Sequence, residues 1–248
     1  NMSAKYKSPS FLLPNELNTS ANPANDTGVN SLYSMDFDGN NEYIDVGNST
    51  SLQITGNLTI SMWFKTTATT GYLISDTPAI GGCYSVLMGG GNGQLWARRG
   101  NGTNAETTQK TSNAYNDGNW HNIVFVSDST MRIYIDGVLD VQSTVSTPSN
   151  IGGTTTIKIG DGFSNFAGQI DEVAIFNRAL NTTEIAALYG GTSPNIYPSN
   201  IMATDLNPIA YYPLGEQAQM QGYLGNEASS EWQFPNGVLQ DYVMDFDG

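Results

Sequence analysis

Residues 168–180 read GQIDEVAIFNRAL and hold the clearest structural signal in the chain. Residues 168–176 are rich in β-forming and apolar side chains and predict a strand. Directly after this segment, Asn181 and Glu184 lie three residues apart, which is the spacing of a capping box at a helix N-terminus. An apolar stripe at helical spacing follows, formed by Ile185, Leu188 and Tyr189. The stretch therefore predicts a strand that leads into one short helix, which Gly190-Gly191 ends.

Outward from this stretch, the chain predicts short strands joined by turns. Residues 58–65 alternate between large apolar side chains and other residues, the pattern of a strand with one buried face. Asp136-Gly137 separates two apolar runs and predicts a tight hairpin, because both turn positions take a positive φ. Asp117-Gly118 predicts another turn. About a dozen such strands with one helix near the end favour an all-β sandwich over a parallel α/β sheet.

The composition excludes several classes of partner. The 248 residues include 23 acidic and 9 basic side chains, giving a net charge of −14. Such a surface repels phosphates, so we expect no binding to nucleic acid or to anionic lipid. No apolar run approaches the roughly 20 residues of a membrane-spanning helix, so we expect no membrane insertion. The single cysteine, Cys83, excludes an internal disulfide and is predicted to be a small buried thiol.

The sequence contains an internal repeat. Residues 242–248, YVMDFDG, match residues 33–39, YSMDFDG, at all but one position, and an Asn-Glu pair lies upstream of each copy. We predict four segments: an irregular N-terminal segment at 1–30, a sandwich at 31–191, a linker at 192–210 and the start of a second, incomplete repeat at 211–248. A partial sandwich lacks the strands that would bury its apolar residues. We therefore expect the last segment to pack on the first domain, pair with another copy, or need further sequence.

Five motifs, in this order, resemble the laminin-G-like domains of the concanavalin-A-like superfamily, in the subgroup found in bacteria and phages. They lie at residues 35–39 with 43–46, at 58–64, at 117–123, at 133–137 and at 168–180. The resemblance covers residues 34–190, and residues from 211 onward resemble the opening of the family. It implies a jelly-roll sandwich of two antiparallel sheets with one short helix near the domain end. It does not imply one function, because such domains bind sugars, proteins or calcium, or serve as spacers.

We do not expect catalysis. A retaining glycosidase needs two carboxylates about 5–5.5 Å apart, and the sandwich glucanases that the fold resembles place acids on alternate residues of one strand. The corresponding positions here are Gln169, Asp171 and Val173, of which the outer two lack a carboxylate. Glu172 is adjacent to Asp171 and is expected to face the opposite side of the strand. The only histidine, His121, is predicted to be structural, so the chain is predicted not to be an enzyme.

Calcium is the predicted metal, because the chain offers oxygen ligands and no Cys or His cluster for zinc. Asp38 is a predicted ligand beside a turn rich in backbone carbonyls. The first and last strands of a jelly roll are usually neighbours, so Asp38 is expected near a second ligand, Asp171. Asp161 lies in a Gly-Asp-Gly turn and resembles the position of calcium-binding acids in pentraxin-like sandwiches. The alternative is that these aspartates only fix turns by hydrogen bonds to the backbone.

Three residues are predicted to bind a sugar. Trp63 falls on the polar side of its alternating strand, so it is predicted either to be a platform or to be covered by a loop or by the segment after Tyr189. Trp96 lies beside Arg98 and Arg99, the densest basic spot in this acidic chain. Trp96 and Arg98 therefore complete the predicted ligand-binding set, since an aromatic face and a guanidinium are both suited to a sugar.

Together these features predict a non-catalytic recognition or scaffold module of an extracellular assembly. Tandem sandwiches rich in Asn, Thr and Gly and poor in Lys resemble marine phage virion proteins: head decorations, fibres or tail adhesins. The expected location is a virion or extracellular surface. The expected partners are glycans or neighbouring structural proteins in a larger or repeated assembly. Two alternatives remain open: a secreted bacterial glycan-binding module of an adhesin or polysaccharide-degrading enzyme, and a purely structural spacer.

Overall fold

The computed structural model describes residues 34–76, 84–100, 106–144, 156–189, 206–212 and 214. These residues form thirteen β-strands, one α-helix and one short 3-10 helix, Thr50–Leu52, which confirms the predicted all-β class. In chain order the strands and the α-helix are β1 (Met35–Asp38), β2 (Ile44–Gly47), β3 (Leu58–Lys65), β4 (Gly71–Ser75), β5 (Tyr84–Gly89), β6 (Gln94–Gly100), β7 (Glu106–Ala114), β8 (Trp120–Ser127), β9 (Thr130–Ile135), β10 (Val138–Thr144), β11 (Ile157–Ile159), β12 (Ala167–Phe176), α1 (Thr182–Tyr189) and β13 (Ala210–Tyr212).

The strands form two antiparallel sheets, as the jelly-roll prediction requires. One sheet has seven strands: six follow the order β1-β12-β3-β8-β9-β10, and β13 pairs with β12 on the edge that β1 also uses. The other sheet has six strands in the order β2-β11-β4-β5-β6-β7. Strands that are distant in sequence are therefore neighbours, and residues from both sheets contribute to one apolar core.

The core follows from the period-2 alternation of the strands. In β3 the large apolar side chains point to the opposite sheet, and each such fully buried side chain stabilises the fold by about 1.5–3 kcal/mol. The core residues of β3 are Leu58, Ile60, Met62 and Phe64. A second, smaller cluster lies on the outward side of the seven-stranded sheet, where α1 packs through Ile185 and Leu188. Because β3 is covered on both faces, every one of its residues except Lys65 is buried.

Two local predictions are confirmed atom by atom. At the hairpin between β9 and β10, Asp136 has φ +53° and Gly137 has φ +76°, so both turn positions are left-handed. At the start of α1, Oδ1 of Asn181 accepts hydrogen bonds from the backbone N–H of Thr183 (2.9 Å) and Glu184 (3.0 Å). Oε2 of Glu184 accepts one in return from the backbone N–H of Asn181 at 2.8 Å. The capping box therefore begins the helix where the sequence predicts it.

The alternation that the sequence predicts for Asp171 and Glu172 does not hold. The register between β12 and β3 shifts between Asp171 and Ala174, and Glu172 has φ +51°, so a β-bulge interrupts the strand here. Both side chains are buried, at 0% and 2% exposure, and Oε2 of Glu172 accepts a hydrogen bond from the Tyr211 hydroxyl at 2.6 Å. The two acids therefore lie inside the packed protein, where a polysaccharide has no access to them.

The predicted domain limits fall mainly on residues that the structure does not describe. The N-terminal segment 1–30, most of the linker and most of 211–248 lie outside the described ranges, as does Cys83. Where residues after α1 are described, they pack on the sandwich: β13 pairs with β12, and Tyr212 and Leu214 are buried in the main core. In the described part of the chain, no helix is long and apolar enough to cross a membrane.

Candidate functional site

The outward surface of the six-stranded sheet carries a cluster of aromatic and basic side chains. In β6, Leu95 and Ala97 are buried in the core, so the alternating residues Trp96 and Arg98 face outward. Lys110 of β7 lies directly opposite Trp96 in the sheet register. The cluster, which we call the aromatic–basic face, consists of Tyr72 in β4, Trp96, Arg98, Lys110, and Phe163 in the loop after β11.

Contacts join these side chains into one surface. The guanidinium carbon of Arg98 lies 5.5 Å from the ring centroid of Trp96 and 6.0 Å from that of Tyr72, and its Nη1 donates a hydrogen bond to the Tyr72 hydroxyl at 3.0 Å. Nζ of Lys110 lies 4.1 Å from the Trp96 ring centroid, within the range of cation–π attraction. Phe163 packs edge-on against Tyr72, with the ring centroids 6.1 Å apart, yet is 65% exposed.

Glycines allow the two large rings to lie close to the backbone. A Cβ on Gly89, at the end of β5, would stand 2.5 Å from the ring of Trp96, and one on Gly162 would stand 2.3 Å from the ring of Tyr72. Real Cβ atoms do not approach other atoms so closely, so both positions require glycine for space. Gly89, the first of three consecutive glycines, therefore has a packing role: it makes room for the Trp96 ring.

Replacing Gly89 with alanine is expected to move the Trp96 ring and to cost about 1–3 kcal/mol of stability, the usual cost of overpacking. The backbone of Gly89 is not in the left-handed region, so the methyl group alone causes the effect. Near-ultraviolet circular dichroism and urea unfolding measure both changes. Gly56→Ala is the matched control, because a Cβ on Gly56 meets nothing within 4 Å. Identical spectra and stabilities for the two variants would contradict this ring position.

The cationic ends of Lys110 and Arg98 give the face a charge opposite to that of the whole chain. The chain has only 9 basic residues against 23 acidic ones, and two of those 9 meet at the Trp96 ring. Within the described ranges, Lys110 makes no salt bridge. Its ammonium group therefore stands over an aromatic ring and is exposed to solvent, where an anionic group could reach it.

Trp63 does not belong to this face. Its side chain is 2% exposed, and its ring stacks on that of Tyr189 at the end of α1, with centroids 5.6 Å apart and an interplanar angle of 17°. The sequence offered two interpretations of Trp63, a sugar platform or a covered ring, and the structure shows a covered ring. The residue that covers it is Tyr189 of α1, whereas the sequence predicted a loop or the segment after Tyr189. Trp63 is therefore a packing residue between the seven-stranded sheet and α1, and not a platform for a sugar.

The three predicted calcium ligands are not gathered at one point. Asp38 ends β1 opposite Ala167, whereas Asp171 lies four residues further along β12, about 13 Å away at the usual rise of a strand. Asp171 is fully buried. Among the described residues, no group of three His, Cys, Asp or Glu side chains is arranged to hold a metal ion. The residues present therefore do not fit a calcium site of this composition, and calcium binding stays a prediction.

Hydrogen bonds give two of these aspartates a structural role. Oδ1 of Asp38 accepts from the backbone N–H of Asn40 at 2.7 Å, which fixes the turn after β1. Oδ2 of Asp161 accepts from Nζ of Lys158 at 2.9 Å, and its Oδ1 accepts from the backbone N–H of Gly162 at 2.7 Å. Asp161 therefore shapes the loop that carries Phe163 onto the aromatic–basic face.

His121 links two turns at one end of the sandwich. Its Nδ1 lies 2.8 Å from Oδ2 of Asp136, and its Nε2 lies 3.2 Å from Oδ1 of Asp117. Burial of the ring lowers the pKa of His121, but the hydrogen bonds and charges of Asp136 and Asp117 outweigh burial and raise this pKa above the usual value for histidine. Both ring nitrogens are engaged with carboxylates, so the residue fixes turns, in agreement with the structural role that the sequence predicts.

The raised pKa of His121 predicts a pH dependence of stability. Because the pKa of His121 is higher in the folded chain than in the unfolded chain, protonation of the ring stabilises the fold. This contribution is complete below the pKa of the unfolded chain, about 6.5, and it is lost as the pH rises through the pKa of the folded chain. The free energy of unfolding in urea is therefore expected to fall as the pH rises from about 6.5 through the higher pKa of His121 in the folded chain. In His121→Gln, the matched control, this fall should be absent. A wild-type stability that is constant or rises over this interval would contradict the assignment.

Comparison with known proteins identifies the family. The family described as the concanavalin A-like lectin/glucanases superfamily matches residues 38–186, more than half of the chain. The chain belongs to this superfamily. The match to the concanavalin A-like superfamily confirms the resemblance predicted from the five motifs, and it runs from the end of β1 into α1. No curated protein sequence matches the chain.

Solved structures share the concanavalin A-like fold. The binding domain of Paraclostridial Mosquitocidal Protein 1 is 16% identical with a TM-score of 0.55, over 66% of this chain and 44% of that one. The binding domain of botulinum neurotoxin DC in complex with rat synaptotagmin II is 14% identical with a TM-score of 0.54, over 73% and 45%. A structure of botulinum neurotoxin type C, whose cell entry depends on interaction with two ganglioside molecules, is 14% identical with a TM-score of 0.52, over 64% and 42%. The chain thus spans less than half of each structure, and identities this low show the fold alone.

Two of the five residues of the aromatic–basic face, Trp96 and Arg98, are predicted from the sequence. The other three, Tyr72, Lys110 and Phe163, are not. Tyr72 lies in β4, whose pairing with β5 is irregular directly after Tyr72, so simple alternation along the strand does not give the side of the sheet on which the ring lies. Lys110 lies in β7, which the sequence does not predict, because its Thr, Gln and Asn residues give no apolar period. Phe163 gave one usable signal: it is an aromatic residue in a loop, directly after the Gly-Asp-Gly turn at 160–162.

Proposed function

We propose that the chain is a non-catalytic module that binds a glycan on the aromatic–basic face. The observation that carries the proposal is the contact of Trp96 with two cations, Arg98 and Lys110, on the outward surface of a rigid sheet. The superfamily match supports recognition of sugars in general terms, because the superfamily includes lectins as well as glucanases. The buried position of Asp171 and Glu172 supports a non-catalytic role, since these acids lie away from any open surface.

The side chains of the aromatic–basic face offer the kinds of contact that a sugar needs. The exposed ring of Phe163 offers an apolar surface to the C–H face of a sugar ring. Arg98 is held against Tyr72 by a hydrogen bond, so its planar donors are already oriented when a ligand arrives. Lys110 is exposed, and displacement of its long side chain from Trp96 would open that ring for stacking. Sheet strands carry most of the face, which lowers the entropic cost of binding.

The charge of the face favours acidic glycans, those that carry carboxylate or sulfate groups. A chain with a net charge of −14 repels anionic polymers in general, so an acidic glycan would need a local cationic surface to bind. Arg98 and Lys110 supply that surface beside the aromatic rings. Because both cations are near solvent, we expect affinity to fall as the salt concentration rises.

The setting that we propose is a virion or other extracellular surface. Decoration, fibre and tail proteins of phages need rigid, repeated modules that present loops to a host glycan or to neighbouring proteins. The neurotoxin domains with the same fold support a binding role in outline, since cell entry of one of those proteins depends on gangliosides and another was solved with rat synaptotagmin II. A secreted glycan-binding module of bacterial origin would use the same face, whereas a purely structural spacer would use none.

A glycan array with neutral and acidic members tests the proposal. The unmodified chain is expected to bind acidic glycans, and Lys110→Gln is expected to bind them more weakly. Lys65→Gln is the matched control, because Lys65 is also a strand lysine but lies on the other sheet, and it should bind as the wild type does. A second array with EGTA tests for calcium. Failure to bind any glycan under either condition would favour the spacer.

A further inference from the structure

The edge of β12 is completed by two strands that are far apart in sequence. β1 pairs with its first half, with Asp38 opposite Ala167 and Met35 opposite Ile170. β13 pairs with its second half, with Tyr212 opposite Val173. Because both strands are antiparallel to β12, the end of β13 meets the start of β1 at the bulge between the two halves.

The segment that contains β13 is firmly bound to the sandwich. Tyr212 and Leu214 are 8% and 3% exposed and belong to the main core. The backbone N–H of Ile209 donates to the carbonyl of Ile175 at 2.8 Å. The Tyr211 hydroxyl donates to the buried carboxylate of Glu172 at 2.6 Å. Apolar, backbone and polar contacts thus converge on one short strand.

In sequence, Tyr211 and Tyr212 of β13 fall in the predicted second repeat, and Ala210 ends the predicted linker. Residues 211–214, YYPL, resemble the opening of the family, and they precede the second copy of the MDFDG motif at 244–248. The first copy of that motif, at 35–39, contains β1. β13 is therefore the opening segment of repeat two by sequence and an edge strand of repeat one by structure.

We propose that β13 is a shared strand, through which the second repeat of this chain is fastened to the sheet of the first. The surface involved is the free half of the β12 edge, and its partner is the strand that opens the next repeat. Without β13, the backbone groups of residues 173–175 on that side would lack their strand partner. The joint between repeats then includes a row of backbone hydrogen bonds anchored by Tyr212 and Leu214.

Cleavage between α1 and β13 tests the proposal in the full chain. A recognition sequence for a site-specific protease is inserted within residues 192–205, and the cleaved protein is passed over a size-exclusion column in native buffer. A shared strand predicts that the two fragments co-elute and separate only in denaturant. Separation of the unmutated fragments in native buffer, with circular dichroism showing a folded sandwich, would overturn the proposal.

Two variants sharpen the test. Tyr212→Ser removes an anchor of the strand and is expected to cause loss of co-elution after cleavage. Tyr223→Ser makes the same exchange outside β13 and should co-elute as the unmutated protein does. The uncleaved chain and its Tyr212→Ser variant are also compared on the column over a range of concentrations. A concentration-dependent dimer that Tyr212→Ser abolishes would place the strand in a second copy of the chain and would overturn the assignment within one chain.

Discussion

Replacing Trp96 with alanine is expected to weaken binding of an acidic glycan by about 2 kcal/mol, or about thirty-fold in Kd. The indole is the centre of the aromatic–basic face, because both Arg98 and Lys110 lie over it. Its loss removes the stacking surface and also the ring that orients the two cations. Isothermal titration calorimetry with the best glycan from the array measures the change.

The matched control for this variant is Trp120→Ala. Trp120 is a half-buried tryptophan at the start of β8, in the seven-stranded sheet, and it lies opposite Lys65. Its loss should leave the Kd of the glycan unchanged. Equal loss of affinity in the two variants would show that the effect comes from general destabilisation and would contradict a site at Trp96.

Replacing Trp63 with alanine is expected to lower the free energy of unfolding by about 3–5 kcal/mol, the usual cost of removing a buried aromatic ring from a packed core. Trp63 is 2% exposed and stacks on Tyr189, so its removal leaves a cavity between the seven-stranded sheet and α1. Domains are stable by only about 5–15 kcal/mol, so much of the stability would be lost. Urea unfolding, followed by circular dichroism, measures the change.

Trp63→Phe is the informative companion to this variant. Phenylalanine keeps an aromatic ring against Tyr189 and should restore more than half of the lost stability. Glycan affinity should not change in Trp63→Phe, because this residue lies beneath α1 and away from the aromatic–basic face. A cost below about 1 kcal/mol for Trp63→Ala would contradict the burial of this ring.

The elements that local chemistry determines could be predicted from the sequence. The hairpin at Asp136-Gly137 follows from the φ angles that those residues accept, and the start of α1 follows from the reciprocal bonds of Asn181 and Glu184. The alternation in β3 likewise predicts which of its side chains enter the core. In each case the residues that decide the structure are within a few positions of one another.

The parts of the site that depend on distant segments could not be predicted in this way. Whether Trp63 is open or covered is decided by Tyr189, which is far away in sequence. Lys110 reaches Trp96 only because polar β7 pairs with β6. The bulge at Asp171 likewise arises from the pairing of β12 with its neighbours, and nothing in the local sequence marks it.

The position of β13 shows the same limit at the level of domains. Proline- and asparagine-rich sequence before residue 211 predicts a linker, and composition carries no information on which sheet a following strand joins. The edge of β12 accepts β13 because the inner side of the segment is apolar, through Tyr212 and Leu214. The pairing is therefore a tertiary property of the sandwich.

The most direct test of glycan binding at the aromatic–basic face is an NMR titration that follows the indole N–H signals of the ¹⁵N-labelled chain. Trp96→Phe and Trp63→Phe assign the two relevant signals by their disappearance. As the acidic glycan is added, the Trp96 signal should shift and saturate with the Kd measured by calorimetry, while the Trp63 signal stays in place. Saturation of binding with an unmoved Trp96 signal would contradict the account.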